Sequence, residues 1–208
     1  LRLLALACLI TALARPRNVD VSTRTNTTRG IDIVIAIDVS ASMLARDLKP
    51  NRLEALKDVA SQFIADRPSD RIGLVEYAGE SYTRTPITSD KSIVLSSLND
   101  IEYNSIIEGG TAIGMGLATS VNRLKDSRAK SKVIILMTDG VNNAGFIEPT
   151  TASELAQEFG IKVYTIGLGT NGTALSPVAL RPDGSFQYGS IPVEIDETLL
   201  QEIADKTG

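Results

Sequence analysis

The 208-residue chain contains no histidine, a single cysteine at Cys8, and aromatic side chains at only 4% of its positions. Without histidine there can be no Ser-His-Asp or Cys-His machinery, no imidazole general base and no zinc site that needs imidazole. One cysteine cannot close an intrachain disulfide or build a thiolate cluster. An excess of either charge is lacking too: 21 Lys and Arg stand against 25 Asp and Glu, a formal charge of −4. That balance argues against nucleic acid or anionic lipid as the main partner. Chemistry is left to carboxylates, hydroxyls, amines or a hard metal. Hydrophobic residues at 43% and charged residues at 22% supply a packed core and carry no signature of disorder.

Long apolar runs are also missing, with one partial exception. Leu3 to Ala14 is uncharged between Arg2 and Arg15, but as a helix it extends only about 18 Å against a hydrocarbon core of about 30 Å. Residues 1–16 are therefore expected to be part of a transmembrane or membrane-anchor segment. A signal-peptide core, a lipoprotein cysteine and a buried amphipathic helix fit the run less well. Residues 17–29, rich in Thr, Asn, Ser and Arg, read as a polar linker. Residues 30–208 form the globular domain, whose final helix, from Glu197 to Asp205, runs into a C-cap at Gly208.

From Gly30 onward short apolar runs alternate with stretches of helical period. Ile31 to Ile37 is β-branched and almost wholly apolar, as a central strand covered on both faces requires. Arg71 to Tyr77, Lys132 to Met137 and Lys162 to Leu168 read as further strands, and Ser81 to Ile87 as an edge strand in which Pro86 is tolerated. Helices are expected over Asn51 to Asp66 with Pro50 in the first turn, after Ser89-Asp90, from Ile113 to Leu124, and from Thr150 to Phe159. This alternation predicts a Rossmann-like three-layer α/β/α sandwich with a mostly parallel sheet and a short antiparallel edge strand. Gly169 to Pro192 breaks the rhythm with Asn171-Gly172 and Pro182-Asp183-Gly184, and reads as a hairpin-like surface insertion.

Ligands in such sheets collect beyond the carboxyl ends of the strands, and three motifs fall there. Asp38-Val39-Ser40-Ala41-Ser42 follows the first strand, and residues two apart can converge on one point. Thr111 lies in the Gly-rich loop Glu108 to Gly114, just before a helix. Thr138-Asp139-Gly140 ends the Lys132 strand. Each has a bland explanation: a serine-rich turn, a helix N-cap, an ordinary strand-ending turn. Together they form a hard oxygen set suited to Mg²⁺ or Mn²⁺, with a cation relieving the repulsion of two close carboxylates. Gly110, Gly114 and Gly116 suggest a dinucleotide loop, but they do not follow a strand. A phosphatase-like hydrolase with Asp38 as nucleophile is the enzymatic alternative, although residue 40 is a serine where a second acid would be expected.

The three ordered motifs resemble the von Willebrand factor A domain and its metal-ion-dependent adhesion site, over essentially Gly30 to Gly208. The resemblance implies that Ser40 and Ser42 bind Mg²⁺ through their hydroxyls, Thr111 directly or through water, and Asp38 and Asp139 chiefly through water. It also implies that the family's last strand and helix would follow Gly208. Lys49 to Glu54, Asp70 to Leu74, Gly114 to Thr119, Thr138 to Gly145 and Pro192 to Asp196 further resemble bacterial aerotolerance, or Bat-type, membrane proteins. From that resemblance come the expectations of a non-enzymatic protein-binding module in the bacterial inner membrane with its domain facing the periplasm. A partner would supply an Asp or Glu to the metal, and other Bat-type proteins and a MoxR-type AAA ATPase would be associated.

Overall fold

The structure, a computed structural model, describes residues 2–5, 30–103, 109–139 and 141–208. The anchor and linker readings therefore fall almost wholly outside the described residues, as do residues 104–108 of the Gly-rich loop and Gly140. Residues 2–5 are helical and exposed. No helix among the described residues is long and apolar enough to cross a membrane.

The central sheet has the order β3-β2-β1-β4-β5. Its strands are β1 (Asp32–Asp38), β2 (Arg71–Tyr77), β3 (Ser81–Thr88), β4 (Lys132–Thr138) and β5 (Ile161–Gly167). All neighbours pair in parallel except β3, which lies antiparallel to β2 at one edge. The period-two rule divides β1 cleanly. Ile33, Ile35 and Ile37 face a core with Leu56 and Ile64 of α1 (Arg52–Ala65) and Leu98 of α2 (Lys91–Asn99). Val34 and Ala36 face the other core, with Ile113, Leu117 and Val121 of α3 (Ile113–Leu124), Ala152 of α4 (Pro149–Glu158) and Ile203 of α5 (Glu197–Thr207). A strand buried on both faces has no room for a polar alternation, hence its nearly continuous apolar sequence. Truncating a fully buried side chain such as Ile35 to alanine removes about 2–5 kcal/mol.

The three-layer architecture is as the sequence predicts, with corrections at the helix ends. Pro50 stands before the N-cap rather than in the first turn of α1: Asn51 is the cap, its side chain accepting from the Glu54 N–H at 2.9 Å. Asp90 caps α2 by accepting from Ser92 and Ile93, and Ile101 packs into the core just beyond the helix end. The insertion is a separate two-stranded antiparallel sheet of β6 (Gly172–Leu180) and β7 (Phe186–Val193).

Candidate functional site

Where β1 ends, the Val39 N–H bonds the Tyr77 carbonyl at 2.9 Å and the chain then turns. A short 3₁₀ turn, Ala41–Leu44, carries Ser42 and is pinned by Met43, which is fully buried. The turn aims two hydroxyls at one place: the Ser40 and Ser42 Oγ atoms lie 2.8 Å apart. Behind them the Asp38 carboxylate is entirely buried. One oxygen accepts from the Ser40 N–H at 2.9 Å, the other from the Thr138 hydroxyl at 2.8 Å. Burial first, and the charge of Asp139 second, push its pKa up to about 7 against the opposing hydrogen bonds. No cation offsets these terms among the described residues.

Thr111 is placed from outside its own loop. The Asn143 side chain accepts its N–H at 2.8 Å, while the Asn143 and Ala144 N–H groups donate to its carbonyl at 3.0 and 3.2 Å. Asn142 accepts the Ile113 N–H at 2.9 Å and so caps α3 from a distant loop. Thr111 is thus not the N-cap; that position is Ala112, which has no capping side chain. Gly110 has φ +104°, and a Cβ there would come within 2.7 Å of the Ala144 Cβ. Gly114 lets α3 approach the Ile147 carbonyl, which a Cβ would meet at 1.9 Å. These glycines allow close approach to the segment Ala144 to Ile147, in keeping with the rejection of a dinucleotide fingerprint.

Arg52 was not among the expected site residues, yet it lies at the centre of the assembly. Its Nε and one terminal nitrogen grip Asp47 at 2.8 and 2.7 Å, and the other reaches an Asp139 oxygen at 3.0 Å. The side chain is only 2% exposed. Burial works against its charge, but the hydrogen bonds and charges of Asp47 and Asp139 leave its pKa raised. As the first residue of α1, following an asparagine cap, it gave no periodic signal; an arginine at an apolar helix's first turn ordinarily faces solvent.

Ser42, Thr111, Asp139 and Arg52 line a cleft of about 260 Å³. Its opposite wall is the β6–β7 hairpin, through residues that include Ser176, Ile191 and Val193. The hairpin is fastened to the 3₁₀ turn and its exit: the Arg46 N–H donates to the Leu175 carbonyl at 3.0 Å, and the Arg46 guanidinium sits 4.0 Å over the Tyr188 ring. At its base the Thr170 N–H bonds Asp47 at 3.0 Å. The insertion expected simply on the surface therefore encloses one side of the site. Asp38, Ser40, Thr111 and Asp139 are all buried, and of the expected site residues Ser42, Thr111 and Asp139 line the cleft while Asp38 and Ser40 lie behind it.

The donor set fits a hard divalent cation: three hydroxyls, two carboxylates, no sulfur and no imidazole. Among the described residues there is no group of three or more His, Cys, Asp or Glu able to hold a metal, so any metal here depends on the hydroxyls.

The sequence matches the von Willebrand factor type A domain over residues 32–203, and the chain belongs to that family. BatB from Bacteroides thetaiotaomicron is similar in structure, with a TM-score of 0.76 and 33% identity over 86% of this chain and 87% of that one. An aerotolerance-related membrane protein from Bacteroides fragilis has a TM-score of 0.75 and 31% identity, covering 86% of this chain and 88% of that one. An uncharacterized protein from Borreliella burgdorferi is 36% identical over 206 residues, 99% of this chain. The chain spans 60% of that relative's length.

Proposed function

We propose that the chain is a divalent-metal-dependent protein-binding module, in which Ser40, Ser42, Thr111, Asp38 and Asp139 hold Mg²⁺, or Mn²⁺ in its place. The observation that carries this reading is the convergence of the Ser40 and Ser42 hydroxyls, 2.8 Å apart, in front of a buried aspartate with no cationic partner. When bound, the metal supplies a positive charge for an acidic side chain of a partner. The chain's own residues do the rest. Ser40, Ser42 and Thr111 offer neutral oxygens, which leave that charge unspent, and Asp38 and Asp139 offset enough of it to retain the ion. Arg52 occupies one Asp139 oxygen, fixing the carboxylate's orientation and leaving the other oxygen for the metal or its water.

The hydrolase alternative finds less support in this geometry. A nucleophilic Asp38 would need an accessible oxygen, and both are hydrogen-bonded and buried. Among the described residues no lysine lines the cleft. The module is therefore read as non-enzymatic. Similarity to an aerotolerance-related membrane protein supports a membrane location, and we propose the bacterial inner membrane with the domain facing the periplasm. We further propose other Bat-type proteins and a MoxR-type AAA ATPase as associates, a reading carried by the motif resemblance alone. Protease accessibility in spheroplasts tests the orientation: a domain protected until the membrane is broken overturns it. Calorimetric titration tests the site. Mn²⁺ binds the parent chain, and Asp139→Ala abolishes that binding; undiminished binding by Asp139→Ala removes the assignment.

A further inference from the structure

Ser176 is a buried residue without an explanation in the fold. It sits in β6 opposite Gly189, is 3% exposed, and its hydroxyl has no hydrogen-bond partner among the described residues. Buried hydroxyls are ordinarily satisfied, since desolvation without a partner is unfavourable. Here the residue that carries the unpaired group lines the same cleft as Ser42, Thr111 and Asp139, with its oxygen enclosed at the cleft's wall. The Leu175 carbonyl beside it is tied to the Arg46 N–H at 3.0 Å, so this stretch of β6 is held against the segment that follows the Ser42 turn.

We propose that the β6–β7 hairpin is the second half of the binding site, and that Ser176 donates a hydrogen bond to the carboxylate of the partner's Asp or Glu. This rests on the metal-docking reading above and adds to it a specificity-determining residue outside the metal set. A carboxylate entering the cleft presents one oxygen toward Ser42 and Thr111 and the other toward the hairpin, where a donor in need of an acceptor is waiting. The cleft's remaining hairpin wall, Pro177, Ile191 and Val193, is apolar and suits the methylene stem of an acidic side chain. At about 260 Å³ the space lies just below the range of ordinary small-molecule pockets and has room for one acidic side chain. Glu194, exposed at the rim, repels a second acid. The partner segment is accordingly an isolated Asp or Glu flanked by neutral or basic residues.

The test is NMR titration of the isotopically labelled chain, first with Mg²⁺ alone and then, at saturating Mg²⁺, with acetyl-Gly-Glu-Gly-amide and its Gln counterpart. The parent binds the Glu peptide and not the Gln peptide. Ser176→Ala leaves Mg²⁺ affinity unchanged and the melting temperature no lower, since it removes a buried unpaired hydroxyl, but weakens the Glu peptide roughly tenfold, about 1.4 kcal/mol. Ser176→Thr, which keeps the hydroxyl, restores binding. Equal peptide affinity in the parent and Ser176→Ala overturns the hairpin's role while leaving metal docking intact. Loss of Mg²⁺ binding in Ser176→Ala also overturns it, because the residue is then part of the metal set. A parent chain that takes up Mg²⁺ yet ignores the Glu peptide overturns the docking reading and this proposal together.

Discussion

Strand β1 begins and ends with a buried aspartate, and the two are treated in opposite ways. Asp32, at the amino end, is held by the Arg71 guanidinium, with Nε at 2.7 Å and a second nitrogen on the other oxygen, and by the Ser127 hydroxyl. Its charge is answered within the chain. Asp38, six residues on, receives one N–H and one hydroxyl, and its nearest charge of consequence is another acid, Asp139. The same residue type in the same strand is thus a finished structural ion pair at one end and, at the other, a buried acid pushed up to about 7 with no ion pair among the described residues. Folding alone gives no reason to keep the second arrangement, because burial of an unpaired carboxylate opposes stability. A ligand that binds only the folded state does give one.

Arg52 is the point at which the carboxyl end avoids collapse of this kind, and removing it should have the largest effect. Arg52→Ala leaves Asp47 and Asp139 buried without their cation, a change expected to remove about 3–5 kcal/mol in urea denaturation. Arg52→Lys recovers only part of this, since a single ammonium cannot fill a fork that now spans two carboxylates. A loss below about 1 kcal/mol in Arg52→Ala would place the guanidinium among exposed pairs, contrary to its burial.

Exchanging the charge at each end of β1 sharpens the contrast. Asp32→Asn breaks a charge-assisted pair and costs about 1–3 kcal/mol, without altering Mg²⁺ affinity. Asp38→Asn keeps the side chain's shape and relieves the repulsion from Asp139, so metal-free stability stays within about 1 kcal/mol of the parent while Mg²⁺ affinity falls roughly 100-fold, near 3 kcal/mol. Denaturation with and without Mg²⁺ reads both quantities. If Asp38→Asn is destabilised as much as Asp32→Asn and still binds the metal, the two ends are alike and the comparison fails.

The strands were legible because β1, β2 and β4 lie inside the sheet and must be apolar on both faces, and the three motifs that carry the proposed metal-binding residues because they lie at the ends of those strands or at the start of a helix. Arg52, Asn142 and Asn143 were not legible as site residues. Their work is done across 87, 29 and 32 residues of sequence separation, and no local period marks a side chain whose partner lies in another loop. The hairpin shows the same limit: turn residues at Asn171-Gly172 and Asp183-Gly184 announced it, but nothing in β6 or β7 declared which surface it would cover. Nothing in the sequence singles out Ser176, because its hydroxyl is enclosed and unpaired among the described residues only once the hairpin is folded against the site.

The smallest expected effect concerns the link from the hairpin to the site, and it runs through acid pH. Asp47 accepts from Arg52 and, more weakly, from Thr170 at the hairpin base; the Arg52 hydrogen bonds are the main cause that lowers its pKa from 3.8 to about 2. A carboxylate depressed in the folded state stabilises the fold above its unfolded pKa and loses that contribution as pH falls through the folded value. Asp47 should therefore contribute about 2 kcal/mol above roughly pH 4 and progressively less toward pH 2. The parent and Asp47→Asn compared by denaturation across this range isolate the contribution, because other titrating groups are common to both. The gap between them should narrow on acidification, and the Tyr188 environment, read by its NMR signals, should loosen along with it as Thr170 loses its acceptor. A gap that stays constant from neutral pH to pH 2 would mean that Asp47 is not held by charge, and that the hairpin is fastened to the site through Arg46 and Tyr188 alone.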